Sequence, residues 1–346
     1  MATELIGDFE LLEFLASGTV GDVYRARHHA SGQQVVIKFL QADVAWEPDV
    51  QRRFVREVAI AEKLNHPNVV RHLDCGLYDD RIFFAMEFVE CGTLRDVLKR
   101  RGQLPWREAV ECAIQVCAAL DHAHEKGVIH RDLKPSNLFL SEEGSVKVGD
   151  FGLARDLNST RLTLDGQTVG TCRYMPPEQI AGEGELTGTT DLYALGCILY
   201  EMLTGGTPFN GRSIVEIFEA HLNEDPTPPR ELVRDCPEDL SDLVMQLLAK
   251  SPNDRPAKAS AVRIALQDIL QSRPVRKPAA AAPKMSRTTD GDPFAPPPSD
   301  EPNLTERLLT TAPALPQDPS RSIALWAIAA AVLLAVVAAL AWILVG

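Results

Sequence analysis

Two short segments of this chain carry residue types that together can move a phosphoryl group. The run HRDLKPSN, residues 130–137, supplies a carboxylate at Asp132, a lysine at Lys134 and an amide at Asn137. The tripeptide DFG, which begins at Asp150, supplies a second carboxylate. Amide and carboxylate oxygens are ligands that Mg²⁺ prefers, and a lysine ammonium is a point charge suited to a phosphate. The set indicates phosphoryl transfer from a metal-bound nucleotide to a hydroxyl group.

The spacing of the two segments explains how these side chains can meet. Two short apolar or alternating runs, residues 138–140 and 146–148, flank the turn sequence EEG, and this pattern predicts a β-hairpin. Because a hairpin returns the chain to its starting point, we expect Asn137 and Asp150 to lie side by side and to hold Mg²⁺, with Mn²⁺ as an alternative. Asp132 on the same loop can accept the proton of a substrate hydroxyl. The other interpretation, two unrelated turn tripeptides, does not account for their joint spacing.

The motifs resemble those of the eukaryotic-like serine/threonine protein kinases, particularly the membrane-anchored bacterial ones, over about residues 8–271. Further family motifs follow in the same order: VVIK ends at Lys38, and GTCRYMPPE, the end of the activation loop, closes at Glu178. Asp191 and Arg255 match a structural carboxylate and an arginine that pairs with that glutamate. The resemblance implies an α+β, bilobal protein-kinase-like fold, with a small β-rich N-lobe and a larger helical C-lobe.

The resemblance also implies roles for two lysines. Lys38 corresponds to the lysine that contacts the α- and β-phosphates of ATP, and Lys134 to the one that contacts the transferring phosphoryl group. Residues 49–64 have apolar residues at helical spacing and predict a helix, in which Glu57 shares the inward face. A carboxylate there can pair with Lys38, as the family's helix glutamate does. The alternative is a solvated helix charge, which the inward position disfavours.

An ATP-binding cleft follows from the same resemblance. Residues 82–89, IFFAMEFV, predict a strand that runs into the hinge between the lobes. Met86 corresponds to the gatekeeper of the cleft, and the backbone of Glu87 and Val89 to the groups that bind the adenine edge. The residues that correspond to the two faces of the adenine slot are Val23, Val36 and Phe139.

The glycine-rich loop of the family is altered here. It reads ASGTVGDV, so that Ala16 replaces the first glycine while Gly18 and Gly21 remain. Glycine lets backbone amides approach phosphates closely, and we therefore expect weaker or slower nucleotide handling. This change keeps open a second interpretation, a catalytically weak pseudokinase acting as a membrane-tethered scaffold. A third, a kinase-like small-molecule phosphotransferase, is disfavoured by the activation segment that ends at Glu178.

The activation loop carries candidate phosphorylation sites. Arg131 precedes the catalytic aspartate, and in the family an arginine there binds a phosphorylated loop residue. Thr163 and Thr168 lie in the middle of the loop and are favoured, whereas Thr171 is expected to orient Asp132 and Lys134. The chain is therefore expected to phosphorylate its own activation loop as well as Ser and Thr hydroxyls of protein substrates.

Composition bounds the remaining possibilities. The 346 residues are 45% hydrophobic, which suffices for about two domains. A formal net charge of −13 argues against nucleic acid as a partner. The seven cysteines are odd in number and lack zinc-site spacing, which indicates a reduced, cytosolic setting. The N-terminus shows no signal-peptide pattern.

The C-terminal part has a different character. Residues 272–321 are rich in Pro, Ala and charge, and predict a disordered linker. Residues 322–346 predict a single transmembrane helix, because the 23 residues 323–345 contain no charged or strongly polar side chain. A helix of that length spans about 35 Å, against a hydrocarbon core of about 30 Å. The need for ATP places the kinase domain in the cytoplasm. Alanines at every fourth position from Ala327 form a ridge that can pair two such helices into a homodimer, or are common apolar filler.

Overall fold

The computed structural model describes residues 5–18, 21–40, 63–79, 81–151, 172–182, 184–272 and 302–310. Within these residues an antiparallel sheet of six strands forms the N-lobe. The strands are β1 (Leu5–Ile6), β2 (Phe9–Gly18), β3 (Gly21–His28), β4 (Gln34–Phe39), β5 (His72–Tyr78) and β6 (Arg81–Glu87). Their order in the sheet is β1-β2-β3-β4-β6-β5. The inner strands β4 and β6 therefore lie next to each other and carry the predicted lysine and hinge motifs.

In the described residues, the C-lobe is helical apart from the hairpin formed by β7 (Leu138–Leu140) and β8 (Val146–Val148). Its helices in the described part of the chain are α1 (Leu94–Arg101), α2 (Trp106–Glu125), α3 (Pro177–Ala181), α4 (Gly188–Thr204), α5 (Ile214–Asn223), α6 (Pro229–Leu232), α7 (Glu238–Leu247), α8 (Ala259–Ser272) and α9 (Leu304–Leu309). Helix α4 is buried along most of its length, which explains its nearly continuous apolar sequence.

Alternation of side chains gives the sheet one buried face. In β4, Val35 and Ile37 are fully buried, whereas Val36 between them points to the opposite face. Phe83 and Ala85 of the neighbouring β6 complete the same apolar core. A second core forms among the helices of the C-lobe. The predicted bilobal α+β architecture, with a β-rich N-lobe and a helical C-lobe, is confirmed.

The hairpin predicted between the two catalytic motifs is also confirmed. Leu138 pairs with Val148 and Leu140 with Val146 in an antiparallel register. The predicted hinge strand is β6, which ends at Glu87. The predicted helix over residues 49–64, with Glu57, and the mid-loop threonines lie outside the described residues.

The prediction of a disordered linker over residues 272–321 is wrong for residues 302–310. Helix α8 extends through Ser272, and α9 forms within the predicted linker. Leu304 and Leu308 of α9 are buried in the C-lobe core. Because an isolated six-residue helix is not stable in water, packing against the C-lobe stabilises it.

The predicted transmembrane helix, residues 322–346, lies outside the described part of the chain. In the part that is described, no helix has both the length and the apolar character needed to cross a bilayer.

Candidate active site

The catalytic loop, residues 130–137, and the end of the β7–β8 hairpin meet at Asn137. The backbone amide of Gly149 donates to the carbonyl of Asn137 at 2.9 Å, which places Asp150 next to the catalytic loop. The Asn137 Nδ2 atom donates to the carbonyl of Asp132 at 2.9 Å. Its Oδ1 atom accepts a long bond of 3.4 Å from Ser136 Oγ. The amide orientation is therefore fixed, with the oxygen as the atom that can bind a cation.

Two lysine–carboxylate pairs set the charges of the site. Lys134 Nζ lies 2.8 Å from Asp132 Oδ2, and Lys38 Nζ lies 2.8 Å from Asp150 Oδ1. Burial opposes the ionisation of Asp150, but the charge and hydrogen bond of Lys38, helped by His130 and Lys134, outweigh it and lower the pKa of that carboxyl. Asp150 is thus an anion at neutral pH, as a metal ligand must be.

Asp191 holds the catalytic loop in position. Its buried carboxylate accepts hydrogen bonds from the backbone amides of His130 at 2.9 Å and Arg131 at 2.8 Å, and lies 2.8 Å from Nε2 of His124. Arg131 has a φ of +65°, a conformation that non-glycine residues seldom adopt. The bonds to Asp191 stabilise this conformation. Asp191 is a positioning residue, and its predicted structural role matches this geometry.

A second predicted structural pair is fully formed. Arg255 donates from Nη1 and Nη2 to the two carboxylate oxygens of Glu178, each at 2.8 Å. The Arg255 side chain is completely buried, and it also donates to the carbonyls of Ala249 and Lys250. A bidentate pair of this kind fixes geometry as well as charge. It ties the end of the activation segment to the helical C-lobe.

An apolar cavity of about 260 Å³ lies beside the charged groups. The predicted site residues that line it are Val23, Val36, Lys38, Met86, Glu87, Val89, Phe139 and Asp150. Lining residues that the sequence did not single out are Leu15, Val70, Phe88, Gly92, Thr93 and Gly149. Apolar walls with two charged groups at one end suit a flat heteroaromatic base that carries a charged tail.

Two polar groups of Glu87, at the end of the hinge strand, are engaged within the protein. The backbone amide of Glu87 already donates to the carbonyl of Arg71 at 2.9 Å. Its side chain is also engaged, since Glu87 Oε1 accepts from Lys147 Nζ of β8 at 2.8 Å. A carbonyl oxygen has two lone pairs, so the Glu87 carbonyl can accept a hydrogen bond from the base, while the predicted contact through the Val89 backbone stays a prediction.

Leu15 lines the cavity and directly precedes Ala16, the first residue of the predicted glycine-rich loop. Ala16 lies opposite Val23 in the β2–β3 hairpin and is exposed. The register of this hairpin shifts between Phe14 and Ala16. Such a bulge changes which side chains face the cleft, so strict alternation along the sequence could not identify Leu15.

Of the two predicted loop glycines, Gly21 has the clearest structural requirement. It pairs with Gly18 across the hairpin and has a φ of +146°. A Cβ atom on Gly21 would lie 1.7 Å from the carbonyl oxygen of Phe39. No other residue fits at this position without moving the backbone of β4. Residues 19–20, between the two glycines, and Thr171 lie outside the described residues.

Comparisons with known proteins agree with this geometry. The model of the protein kinase domain family matches residues 9–268. Serine/threonine-protein kinase PknB of Mycobacterium leprae is 38% identical over 275 residues, which cover 78% of this chain and 44% of that protein. PknB of Mycolicibacterium smegmatis is 37% identical over 336 residues, which cover 94% of this chain and 52% of that protein.

The chain spans about half the length, or less, of these curated relatives. The match to the family model nevertheless extends through both lobes and includes every residue of the catalytic loop and hairpin. The chain therefore belongs to the protein kinase family, and its kinase domain is of the bacterial serine/threonine type.

Proposed function

We propose that this chain transfers the γ-phosphoryl group of ATP to Ser and Thr hydroxyls of proteins, with Mg²⁺ as the cofactor. The observation that carries the proposal is the convergence of charged and metal-binding groups at one end of an apolar cavity. Those groups belong to Lys38, Asp132, Lys134, Asn137 and Asp150.

The nucleotide is held by groups with separate tasks. The apolar walls of the cavity exclude water from the base, and the Glu87 carbonyl can accept a hydrogen bond from it. The Lys38 ammonium has three hydrogens, so it can keep its bond to Asp150 and also donate to phosphate oxygens. When bound, ATP supplies the activated phosphoryl group.

The metal ligands are Asn137 and Asp150. Both offer hard oxygen atoms, and the bond from Asn137 Nδ2 to the Asp132 carbonyl orients the amide. The lowered pKa of Asp150 keeps its carboxylate charged. These properties fit Mg²⁺, whose role with a nucleotide is to neutralise phosphate charge.

Asp132 is the group that accepts the proton of the attacking hydroxyl. Lys134 lies 2.8 Å from it and remains close enough to donate to the transferring phosphoryl oxygens. The lysine limits the accumulation of negative charge around the base and the phosphates. Positioning and electrostatics, rather than covalent catalysis, therefore account for the chemistry.

A labelling experiment on the full chain in detergent tests this function. The chain is incubated with ATP labelled on the γ-phosphate, Mg²⁺ and a protein that contains Ser, Thr and Tyr. We expect label on Ser and Thr, and loss of labelling when EDTA removes Mg²⁺. Tight binding of ATP without any labelling would instead support the pseudokinase scaffold.

We also propose that residues 322–346 anchor the protein as a single-pass membrane protein, with the kinase domain in the cytoplasm. The uncharged 23-residue run from Ile323 supports this proposal. Full-length chain should stay with membranes after an alkaline wash, whereas the chain truncated after Arg321 should wash off. Equal behaviour of the two forms would contradict the anchor.

Pairing of two anchors is the remaining proposal. The alanine ridge, Ala327, Ala331, Ala335 and Ala339, lets two helices approach closely. Replacing Ala331 and Ala335 by leucine should reduce self-association of the full chain in membranes and slow phosphorylation of its activation loop at low protein density. Unchanged association would leave the segment as a plain anchor.

A further inference from the structure

Helix α9 docks on the C-lobe through specific contacts. Leu304 and Leu308 are 6% and 0% exposed and belong to the C-lobe core. Asn303 and Glu306 cap the helix with two reciprocal bonds of 2.9 Å between side chain and backbone. Asn303 Nδ2 also donates to the carbonyl of Glu142, in the β7–β8 turn, at 3.0 Å. These contacts define one docked position.

Charged residues complete the dock. Arg101, at the end of α1, donates to the backbone carbonyl of Arg307 at 2.9 Å and pairs with Glu108 of α2. The Arg307 side chain pairs in turn with Glu111 of α2. Cations near the last carbonyls of a helix stabilise its C-terminal end. Helix α9 therefore lies against a face of α2 that carries two carboxylates, each matched by an arginine.

Thr305 is a residue of α9 whose polar group is not satisfied in the docked position. Its side chain lies on the buried face with Leu304 and Leu308, and the residue is 1% exposed. Its Oγ1 atom is buried and has no hydrogen-bond partner among the described residues. A buried hydroxyl without a partner opposes docking, and a valine of the same shape would avoid that loss. Within the part of the chain that the structure describes, the hydroxyl thus contributes no hydrogen bond to the docked state.

We propose that Thr305 is a phosphorylation site whose modification releases α9 from the C-lobe. The proposal rests on the proposed kinase function, since the kinase domain is the source of the phosphate. The Thr305 oxygen attacks the γ-phosphorus of ATP, and the bond from that phosphorus to the β–γ bridging oxygen breaks. ADP leaves with the electron pair, and the hydroxyl proton passes to Asp132 and then to solvent.

Docking and phosphorylation of Thr305 exclude each other. A phosphate adds three oxygens and a charge of about −1.5 to −2, whereas the docked Thr305 side chain is surrounded by the C-lobe. The face of α2 against which α9 lies already carries Glu108 and Glu111. Burial also raises the pKa of Glu108, so this face disfavours added negative charge. The site is reached when the short helix undocks transiently.

Release changes the tether of the kinase domain. In the sequence, 13 residues, 310–322, lie between α9 and the apolar run that begins at Ile323, whereas 50 residues, 273–322, lie between α8 and that run. Phosphorylation of Thr305 therefore extends the reach of the domain from its proposed anchor.

Hydrogen exchange of the full chain in detergent tests the release directly. The variants are Thr305→Glu, which carries a charge at the buried position, Thr305→Val, which keeps the shape, and Thr310→Glu, the matched control at an exposed position. Amides of residues 304–309 should exchange about tenfold or more faster in Thr305→Glu, no faster than in the natural chain in Thr305→Val, and within about twofold of the natural chain in Thr310→Glu. Equal protection in all variants would overturn the release.

Phosphosite mapping tests the modification. After incubation with ATP and Mg²⁺, mass spectrometry should find phosphate on Thr305. The substitution Leu308→Asp, which is expected to undock α9, should increase the rate of Thr305 phosphorylation. The phosphorylated fraction should show the fast exchange. An unmodified Thr305 in Leu308→Asp, while an added protein substrate is phosphorylated, would overturn this inference alone. Absence of phosphate on both Thr305 and the added protein would overturn the proposed function and the modification with it. The hydrogen exchange of Thr305→Glu would then still decide whether a charge at this position releases α9.

Discussion

The Nζ atom of Lys38 lies 2.8 Å from Oδ1 of Asp150, although 112 positions separate the two residues in the sequence. The contact joins strand β4 of the N-lobe to the end of the β7–β8 hairpin in the C-lobe. It brings the proposed phosphate-binding cation and the proposed metal-binding anion to the same edge of the cavity. The ion pair therefore joins the two lobes beside the cavity.

Lys38→Met is expected to lower both turnover and ATP affinity, because it removes a phosphate contact. It should also reduce the free energy of unfolding by about 1–3 kcal/mol, since Asp150 loses its counter-charge in a partly buried position. The double variant Lys38→Met/Asp150→Asn should recover most of that stability and no activity. Urea denaturation and a labelling assay measure both. A double variant as unstable as Lys38→Met would show that the ion pair does not cause the loss.

Adjacent valines in β4 separate folding from nucleotide binding. Val35→Ala should lower the free energy of unfolding by about 1–3 kcal/mol, because Val35 is fully buried in the sheet core. Val36→Ala should change the Kd for ATP, because Val36 lines the cavity, with a much smaller effect on stability. Denaturation and nucleotide titration of both variants measure this. Similar ATP affinities in the two variants would mean that Val36 does not contact the bound nucleotide.

Gly21→Ala should destabilise the N-lobe by about 2 kcal/mol or more, because its Cβ would collide with the Phe39 carbonyl. Gly32→Ala is the matched control, since Gly32 also has a positive φ, +70°, but no atom within 4 Å of the added Cβ. The control should lose about 1 kcal/mol, from backbone strain alone. Equal losses in denaturation would mean that the close contact with β4 is unimportant.

Much of the site could be predicted because its residues are consecutive in short motifs. The HRDLKPSN run and the DFG tripeptide gave Asp132, Asn137 and Asp150, and a local hairpin brings them together. Leu15 could not be predicted, because a register shift in β2 changes which side chain faces the cleft. That shift depends on pairing with β3 and leaves no periodic pattern in the sequence.

Helix α9 is a second feature that could not be predicted from the sequence. Its six residues include two leucines four positions apart, which also occur by chance in linkers. What stabilises the helix is the groove beside α2 and the arginines of α1, which lie about two hundred positions earlier in the chain. Short helices depend on such tertiary packing rather than on propensity. The docking of α9 therefore could not be predicted from the sequence alone.

Acid should destabilise the protein through His221. Burial, with a smaller contribution from Lys250, lowers the pKa of this imidazole to about 3, and its Nδ1 lies 2.8 Å from the Tyr193 hydroxyl. The unfolded chain binds a proton below a pH of about 6.5, whereas the folded chain does not. The free energy of unfolding should therefore fall by up to about 1.4 kcal/mol per pH unit from this group between about pH 6.5 and 3.

His221→Gln keeps a hydrogen-bond acceptor and cannot titrate. Urea denaturation at pH 7 and pH 5 should show a smaller pH dependence for this variant than for the natural chain. The comparison uses the change between the two pH values, so that a packing loss in the variant cancels. An unchanged pH dependence would mean that His221 does not contribute to the loss of stability in acid.

The most direct measurement of the central claim is phosphoryl transfer by Asp132→Asn. The full chain in detergent is assayed with γ-labelled ATP, Mg²⁺ and a protein substrate, beside Asp235→Asn, which changes an exposed aspartate between α6 and α7. Loss of the general base should lower the rate about 10²–10⁴-fold, while ATP affinity stays near that of the natural chain and Asp235→Asn stays fully active. Near-normal transfer by Asp132→Asn, with contaminating kinases excluded, would contradict the account.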